Sequence, residues 1–262
     1  MTNIIDAHGT IEQIVSEIKI YFANNGHLWT KAVIGISGGK DSTIAAALLV
    51  RALGPERVIA VMMPCGGQSD IADSYRVCDV LNIPKQNRFE IDIGESVQAL
   101  YRQFGDSQRI HTPAILTNTP ARLRMTTLYT VAALVGGRVI NTGNASELYV
   151  GYTTKYGDLA GDYAILKNFY VRDVLAIGDA LSELPYDLVH KTPGDGMCGL
   201  SDEDNMGFTY EQVDALVLDN RVPEYETYLA IMERHKRNLH KRDIFIPGPQ
   251  RHPLEQISPF DF

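Results

Sequence analysis

Near the start of the chain, apolar positions recur every three or four residues. Ile11, Ile14, Val15 and Ile18 line one side of residues 11 to 23 and predict an amphipathic helix. The pattern then changes. Ala32 to Ile36 is a short unbroken apolar run ending on Ser37-Gly38-Gly39, which reads as a buried strand entering a glycine turn. Asp41 and Ser42 open an alanine- and leucine-rich stretch of high helix propensity, closed by Gly54-Pro55. The first unit is therefore strand, tight loop and helix.

The alternation continues downstream. Arg57 to Met63 predicts a second strand, Ser69 to Leu81 a helix and Asn87 to Ile93 a third strand, with a further helix beginning near Glu95. Thr119 and Pro120 predict the cap and first turn of a helix that keeps Met125, Leu128, Tyr129, Ala132 and Ala133 on one face as far as Gly136-Gly137. Arg138 to Asn141 predicts a fourth strand, and Val171 to Leu181, Tyr210 to Leu218 and Pro223 to Leu239 predict helices. Strands and helices at this spacing predict an α/β fold, a Rossmann-like parallel sheet with helices on both faces and C-terminal helices, in one domain spanning 1–262. Two polar, glycine-rich stretches interrupt the pattern, residues 151–164 and 191–204, and loops of that length in a compact domain tend to be functional or mobile.

Composition narrows the function classes. With 45% hydrophobic and 21% charged residues the chain falls within ordinary globular usage. No secretory signal opens it and no apolar run is long enough to cross a bilayer, so no membrane role and a cytoplasmic home are expected. A net charge of −8 argues against a general nucleic-acid binder, which neutralises phosphates with surplus Lys and Arg. The dense basic run from Arg234 to Arg242 reads by default as a solvated helix face. Cys65, Cys78 and Cys198 form an odd set without a C-x-x-C pair, so neither a disulfide framework nor a zinc site is expected.

The chemistry is concentrated in Gly35-Ile36-Ser37-Gly38-Gly39-Lys40-Asp41-Ser42. It fails as a Walker A loop, being one residue short and carrying Asp41 where a hydroxyl is required. It matches S-G-G-x-D-S, the pyrophosphate loop of the ATP pyrophosphatases. Gly38 and Gly39 let backbone amides approach phosphate oxygens, the following helix N-terminus adds its positive end, and Ser37 and Ser42 supply hydroxyls. An acidic Asp41 beside a phosphate calls for a bridging divalent cation, so Asp41 reads as a magnesium ligand. Three loops after strands are expected to converge where ligands sit in open parallel sheets: Ser37 to Ser42, Pro64 to Gln68 and Thr142 to Glu147. Glu147 is placed to share the metal with Asp41.

Taken together, GISGGKDS (35–42), ARLRM (121–125), NTGNASE (141–147), GYTTKYGD (151–158), SDEDNMGFTY (201–210) and a C-terminal HKR resemble the ammonia-dependent NAD synthetases over nearly the whole chain. These are homodimeric amide-forming ligases of the N-type ATP pyrophosphatase group, with an adenine nucleotide alpha hydrolase-like fold. The resemblance implies ATP held by residues 35–42, Gln68 and Thr142, and Mg2+ held by Asp41 and Glu147. It also implies deamido-NAD held by Arg122, Lys155 and Asp162, with Lys155 joining Asp41 and Glu147 as a catalytic group. A His-Lys pair completes that set; His235-Lys236 and His240-Lys241 both fit, and spacing from Tyr210 favours His240 and Lys241. Two departures stand out: Val171 followed by Arg172 where many relatives carry a lysine near ATP, and Gly194 where they carry Ser or Thr. Lys40, Lys167 and Arg172 are the cations available to replace the missing charge.

The expected reaction begins with attack of the nicotinate carboxylate of deamido-NAD on the α-phosphate of ATP. Ammonia then attacks the acyl-adenylate, leaving NAD, AMP and pyrophosphate. No protein nucleophile is needed, positioning and charge neutralisation carry the rate, and the loops at 151–163 and 191–205 are expected to act as lids that protect the adenylate from water. With no further domain ahead of the first helix, the nitrogen source is expected to be free ammonia or an unlinked partner. The competing readings are a tRNA-modifying ATP pyrophosphatase, disfavoured by the acidic charge and the lack of a catalytic cysteine pair, and a non-catalytic nucleotide sensor. Retained Asp41 and Glu147 favour catalysis.

Overall fold

A computed structural model describes residues 5–66, 71–105, 112–191 and 201–242. In chain order the elements are α1 (Ala7–Asn24), β1 (Lys31–Gly35), α2 (Lys40–Leu53), β2 (Val58–Met62), α3 (Ile71–Val80), β3 (Arg88–Glu90) and α4 (Gly94–Arg102). They continue with α5 (Pro113–Val135), β4 (Gly137–Asn141), α6 (Ala145–Val150), β5 (Tyr163–Ala164), α7 (Val171–Ala180) and α8 (Tyr186–Val189). The chain then runs through α9 (Asp202–Met206), α10 (Tyr210–Leu218), α11 (Tyr225–Arg237) and α12 (Leu239–Arg242).

All the strand pairs are parallel and the order is β3-β2-β1-β4-β5. Ile34 sits opposite Ala60 on one side and Ile140 on the other. Successive side chains of a strand point to opposite faces, and the cores divide accordingly. Ala32 and Ile34 pack with Ile11, Ile18, Ile44, Leu48, Val77, Ile177 and Leu188, on the face covered by α1, α2, α3, α7 and α8. Val33, Ile59, Val61 and Val139 face α5 through Val131 and Ala132. The Rossmann-like α/β architecture expected from the alternation is present, with helices on both faces.

Several boundaries differ from expectation. The helix expected to start at Thr119-Pro120 starts at Pro113, with Thr112 in the N-cap position, and Pro120 lies buried inside it. A mid-helix proline lacks the N–H that would bond back one turn and normally ends a helix. Here the preceding turns are held by packing: Ile115 sits against Ile93, Val97 and Tyr101, and Asn118 Oδ1 accepts from Thr154 Oγ1 at 2.7 Å. The third strand is shorter than Asn87 to Ile93, although Ile91 N and Ile93 N still donate to Met62 and Pro64 carbonyls. The short β5 strand was not expected, because two residues carry no periodicity. The last long helix begins at Tyr225 rather than Pro223.

α7 packs on α2 and α8 so closely that Gly178 admits no side chain. A Cβ there would lie 2.6 Å from Val189 Cγ1 and 2.8 Å from Ile44 Cδ1, on side chains that are themselves buried. Alanine gains about 1 kcal/mol of helix propensity over glycine, while overpacking a filled core costs about 1–3 kcal/mol. Gly178→Ala is therefore expected to lower the melting temperature, measured by circular dichroism; a rise would mean that the α2–α7 contact is looser than described.

Candidate active site

Strand order reverses direction between β1 and β4, the point at which crossovers leave in opposite senses and open a crevice above the carboxyl ends. The loops that follow these two strands meet there. After β1, Ile36 N donates to Val61 O at 3.0 Å, and Ser37, Gly38 and Gly39 carry the chain into α2 with Gly39 as N-cap. Gly38 has φ +76°, and a Cβ would come within 2.7 Å of Asp73 Cβ and 3.1 Å of Ser74 N, so only glycine fits where the loop crosses α3. Ser37 Oγ and Ser42 Oγ lie 3.1 Å apart, and Gly39 N donates to Ser37 Oγ at 3.3 Å. Gly35 closes β1 beneath this loop.

After β4, Thr142 and Gly143 lead to Asn144, which caps α6. Asn144 Oδ1 accepts from Glu147 N at 3.0 Å and Glu147 Oε2 accepts from Asn144 N at 3.1 Å, a reciprocal capping box. Asn144 Nδ2 also reaches across the crevice to Asp41 Oδ1 at 3.1 Å. One asparagine thus ties both carboxylates together from loops on adjacent strands. Burial and the nearby Asp41 charge push the Glu147 carboxyl well above its ordinary range, with Lys40 opposing them.

The other cations separate clearly. Lys40 is 5% exposed and its Nζ lies 2.7 Å from Asp41 Oδ2. Arg172 is committed to Asp219, with Nη1 2.8 Å from Oδ2, and Lys167 is exposed. Of the three candidates for the missing charge, Lys40 is the one held at the loop. Val171 instead donates its N–H to Ser146 Oγ at 2.9 Å.

A second group gathers around residues 151–158. Arg122 Nε donates to Lys155 O at 3.3 Å, Lys155 Nζ to His240 O at 2.8 Å, and Lys241 Nζ to Gly151 O at 2.8 Å and Thr153 O at 2.7 Å. Arg122, Lys155, His240 and Lys241 therefore converge. His235 lies elsewhere, against the Tyr149 ring with its Nδ1 3.0 Å from Tyr149 O, and Lys236 is exposed. Asp162 stands apart from this group. Its Oδ2 accepts from Val139 N at 2.7 Å and its Oδ1 from the Tyr129 hydroxyl at 3.3 Å, so it braces the β4 edge. The 151–163 loop is held by these bonds and by Asn141 Nδ2, which donates to Asp158 O and Ala160 O, and forms a rim of the crevice. Gln68 and Gly194 lie outside the described residues.

Three residues escaped the sequence reading. Asn144 had a readable signal, the N-x-x-E capping box, but its reach to Asp41 is a contact between loops 103 residues apart. Tyr210 is 1% exposed with its hydroxyl unbonded among the described residues; burial, then Glu147, Asp202 and Asp41, push its phenol upward, which sets it beside the carboxylates. Arg234 lies over the Tyr152 ring at 5.1 Å with its Nε buried and unbonded among the described residues. An aromatic and an arginine on helices carry no such signal in sequence.

The family model for NAD synthase matches residues 10–244. The NH(3)-dependent NAD(+) synthetase of Thermoplasma acidophilum is 36% identical over 81% of this chain and 88% of its own. Among solved structures, an NMN synthetase from Francisella tularensis superposes with a TM-score of 0.83 at 31% identity, covering 93% of this chain and 99% of that one. An NH3-dependent NAD synthetase from Campylobacter jejuni gives 0.74 at 28% identity over 94% and 100%. With its S-G-G-x-D-S loop at the switch point and a family match spanning sheet and C-terminal helices alike, the chain belongs to the NAD synthase family.

Proposed function

We propose that the chain is an amide-forming ligase that uses ATP to join ammonia to the nicotinate carboxylate of deamido-NAD, yielding NAD, AMP and pyrophosphate. The observation that carries this reading is Asn144, which holds Asp41 and Glu147 together above the phosphate-binding loop. Backbone amides of residues 37–39 and the start of α2 bind and orient the triphosphate, with Ser37 and Ser42 hydroxyls beside them. Arg122, Lys155 and Lys241 offer positive charge on the opposite rim for the phosphates of the dinucleotide. The 151–163 rim excludes water from the activated carboxylate, which ammonia then attacks.

Asp41 and Glu147 fit Mg2+ by their donor chemistry, since two carboxylates plus substrate phosphates and water are the usual set for that ion. Asp41 and Glu147 would hold the ion from the protein side, and substrate phosphates and water would supply its remaining ligands. When bound, the ion neutralises charge on the departing pyrophosphate. The protein is read as a cytoplasmic homodimer. Exposed Leu116 and Leu134, eighteen residues apart and so on one side of α5, support a partner surface, and no described helix is long and apolar enough to cross a membrane.

A second reading is favoured by the similarity to the Francisella tularensis NMN synthetase: the nicotinate carboxylate of the mononucleotide, rather than the dinucleotide, is amidated. The reacting groups are the same and the difference lies in how far the substrate extends. Purified protein with ATP, Mg2+ and ammonium, given deamido-NAD or nicotinate mononucleotide in parallel, separates the two. NAD and pyrophosphate appearing together from deamido-NAD is the expected result. Faster turnover of the mononucleotide would move the substrate, and no pyrophosphate from either would leave a nucleotide-binding protein. Replacing ammonium with glutamine in a third tube is expected to stop the reaction.

A further inference from the structure

Lys40 sits in the first turn of α2, where a cation opposes the positive end of the helix, so helix electrostatics do not explain its place. Its side chain is 5% exposed, its Nζ lies 2.7 Å from Asp41 Oδ2, and it stands 6.0 Å from the Tyr210 ring centroid. Asp41 gives its other oxygen to Asn144. Both oxygens of the carboxylate are thus engaged, one of them by a full positive charge. A divalent ion approaching Asp41 from the Oδ2 side meets that ammonium, and like charges that close repel strongly in a partly buried site.

We propose that Lys40 is a resident counter-ion, held on Asp41 Oδ2 until a divalent cation arrives with ATP, whose phosphates then take the ammonium. The inference rests on the reading of Asp41 and Glu147 as the metal ligands. It explains why one cation is buried among the carboxylates while Arg172 and Lys167 are not. Lys40 offsets part of the repulsion between Asp41 and Glu147 before substrate binds. It also makes the site discriminate against free metal: the ion alone must displace the lysine from Asp41 without bringing it an anion, whereas the metal–nucleotide complex brings it the phosphates. Lys40 acts here as a positioning residue, coupling metal entry to nucleotide entry.

The test is Mn2+ binding without nucleotide, followed by electron paramagnetic resonance on wild type, Lys40→Gln and Asp41→Asn. Removing one unit charge beside the ligand is expected to tighten Mn2+ binding to Lys40→Gln by on the order of tenfold. Metal-free Lys40→Gln is expected to melt below wild type and to gain more from Mn2+. Binding equal to or weaker than wild type, with Asp41→Asn still weakened, would overturn the proposal and leave the metal assignment standing. Binding unchanged by Asp41→Asn would remove the metal assignment and the proposal with it. Should Lys40→Gln fail to fold, lysine-labelled wild type serves: the Lys40 side-chain resonance, assigned with Lys40→Arg, shifts more with Mg2+ and ATP together than with Mg2+ alone. An unmoved resonance under both conditions overturns the proposal.

Discussion

Glu147→Gln lowers NAD formation by about three orders of magnitude, the loss that several kcal/mol of charge stabilisation represents, and raises the melting temperature at neutral pH. The two effects have opposite signs because Glu147 has two separable jobs. Its structural job is the capping box, in which Oε2 accepts from Asn144 N at 3.1 Å, and glutamine at the same position performs it equally well. Its chemical job needs the charge. In the folded protein, burial and the Asp41 charge hold the carboxyl above its ordinary value of 4.5 despite Lys40. A carboxyl whose folded pKa is raised supports folding below its unfolded pKa and loses that support as pH climbs through the raised value. Wild type therefore gives up stability from pH 4.5 upward on this account, whereas the glutamine variant does not, and the gap between their melting temperatures widens with pH. Melts from pH 5 to 8 alongside a pyrophosphate assay check both halves. Retained activity would remove Glu147 from the proposed chemistry; a melting temperature several degrees below wild type would mean that its charge is structural.

Asp214→Ala is the substitution expected to damage the fold most. Asp214 is 2% exposed and joins three helices: its Oδ1 accepts from Ser146 Oγ at 2.5 Å and its Oδ2 from Arg172 N at 2.8 Å, while Ser146 Oγ accepts from Val171 N. Alanine leaves a buried hydroxyl and a buried N–H without partners, each costing about 1–3 kcal/mol, so a total near 3 kcal/mol is expected. At roughly 2–4 °C per kcal/mol for a chain of this size, the melting temperature falls by about 6–12 °C. Asp214→Asn keeps an acceptor for Arg172 and loses far less. Burial pushes the Asp214 carboxyl up to about 6, over the opposition of Ser146 and Arg172. Wild type thus loses stability as pH rises from about 4 through about 6, and the deficit of the asparagine variant shrinks across the same window. Equal melting temperatures for the alanine variant and wild type would show that the α6–α7–α10 junction is held by the apolar cluster of Val150, Val171 and Val213 instead.

The central half of the fold was legible because its signals are local. Buried parallel strands read as unbroken apolar runs, and Ala32 to Ile36 and Arg57 to Met63 were found within a residue or two of β1 and β2. The S-G-G-x-D-S loop was legible for the same reason, since its glycines, hydroxyls and helix start are contiguous. Misreadings came where tertiary contacts overrode local rules. Pro120 looks like a helix start and is a helix interior, because Ile115 and Asn118 find partners that hold the turns before it. Asp162 reads as a ligand in a polar loop, and no local pattern shows that its carboxylate accepts from Val139 N of β4.

What the amino-acid order determined alone was the succession from β1 to β4, the S-G-G-x-D-S loop and the acidic residues near it, each a matter of residues adjacent in the chain. Only the tertiary structure decided which groups meet. It set Asn144 on Asp41, chose Lys40 over Lys167 and Arg172 as the cation inside the site, and brought His240 and Lys241, not His235 and Lys236, to the loop that carries Lys155. The physical reason is the order of the sheet. Placing β4 beside β1 brings together loops a hundred residues apart, and no periodicity within either loop records that neighbourhood.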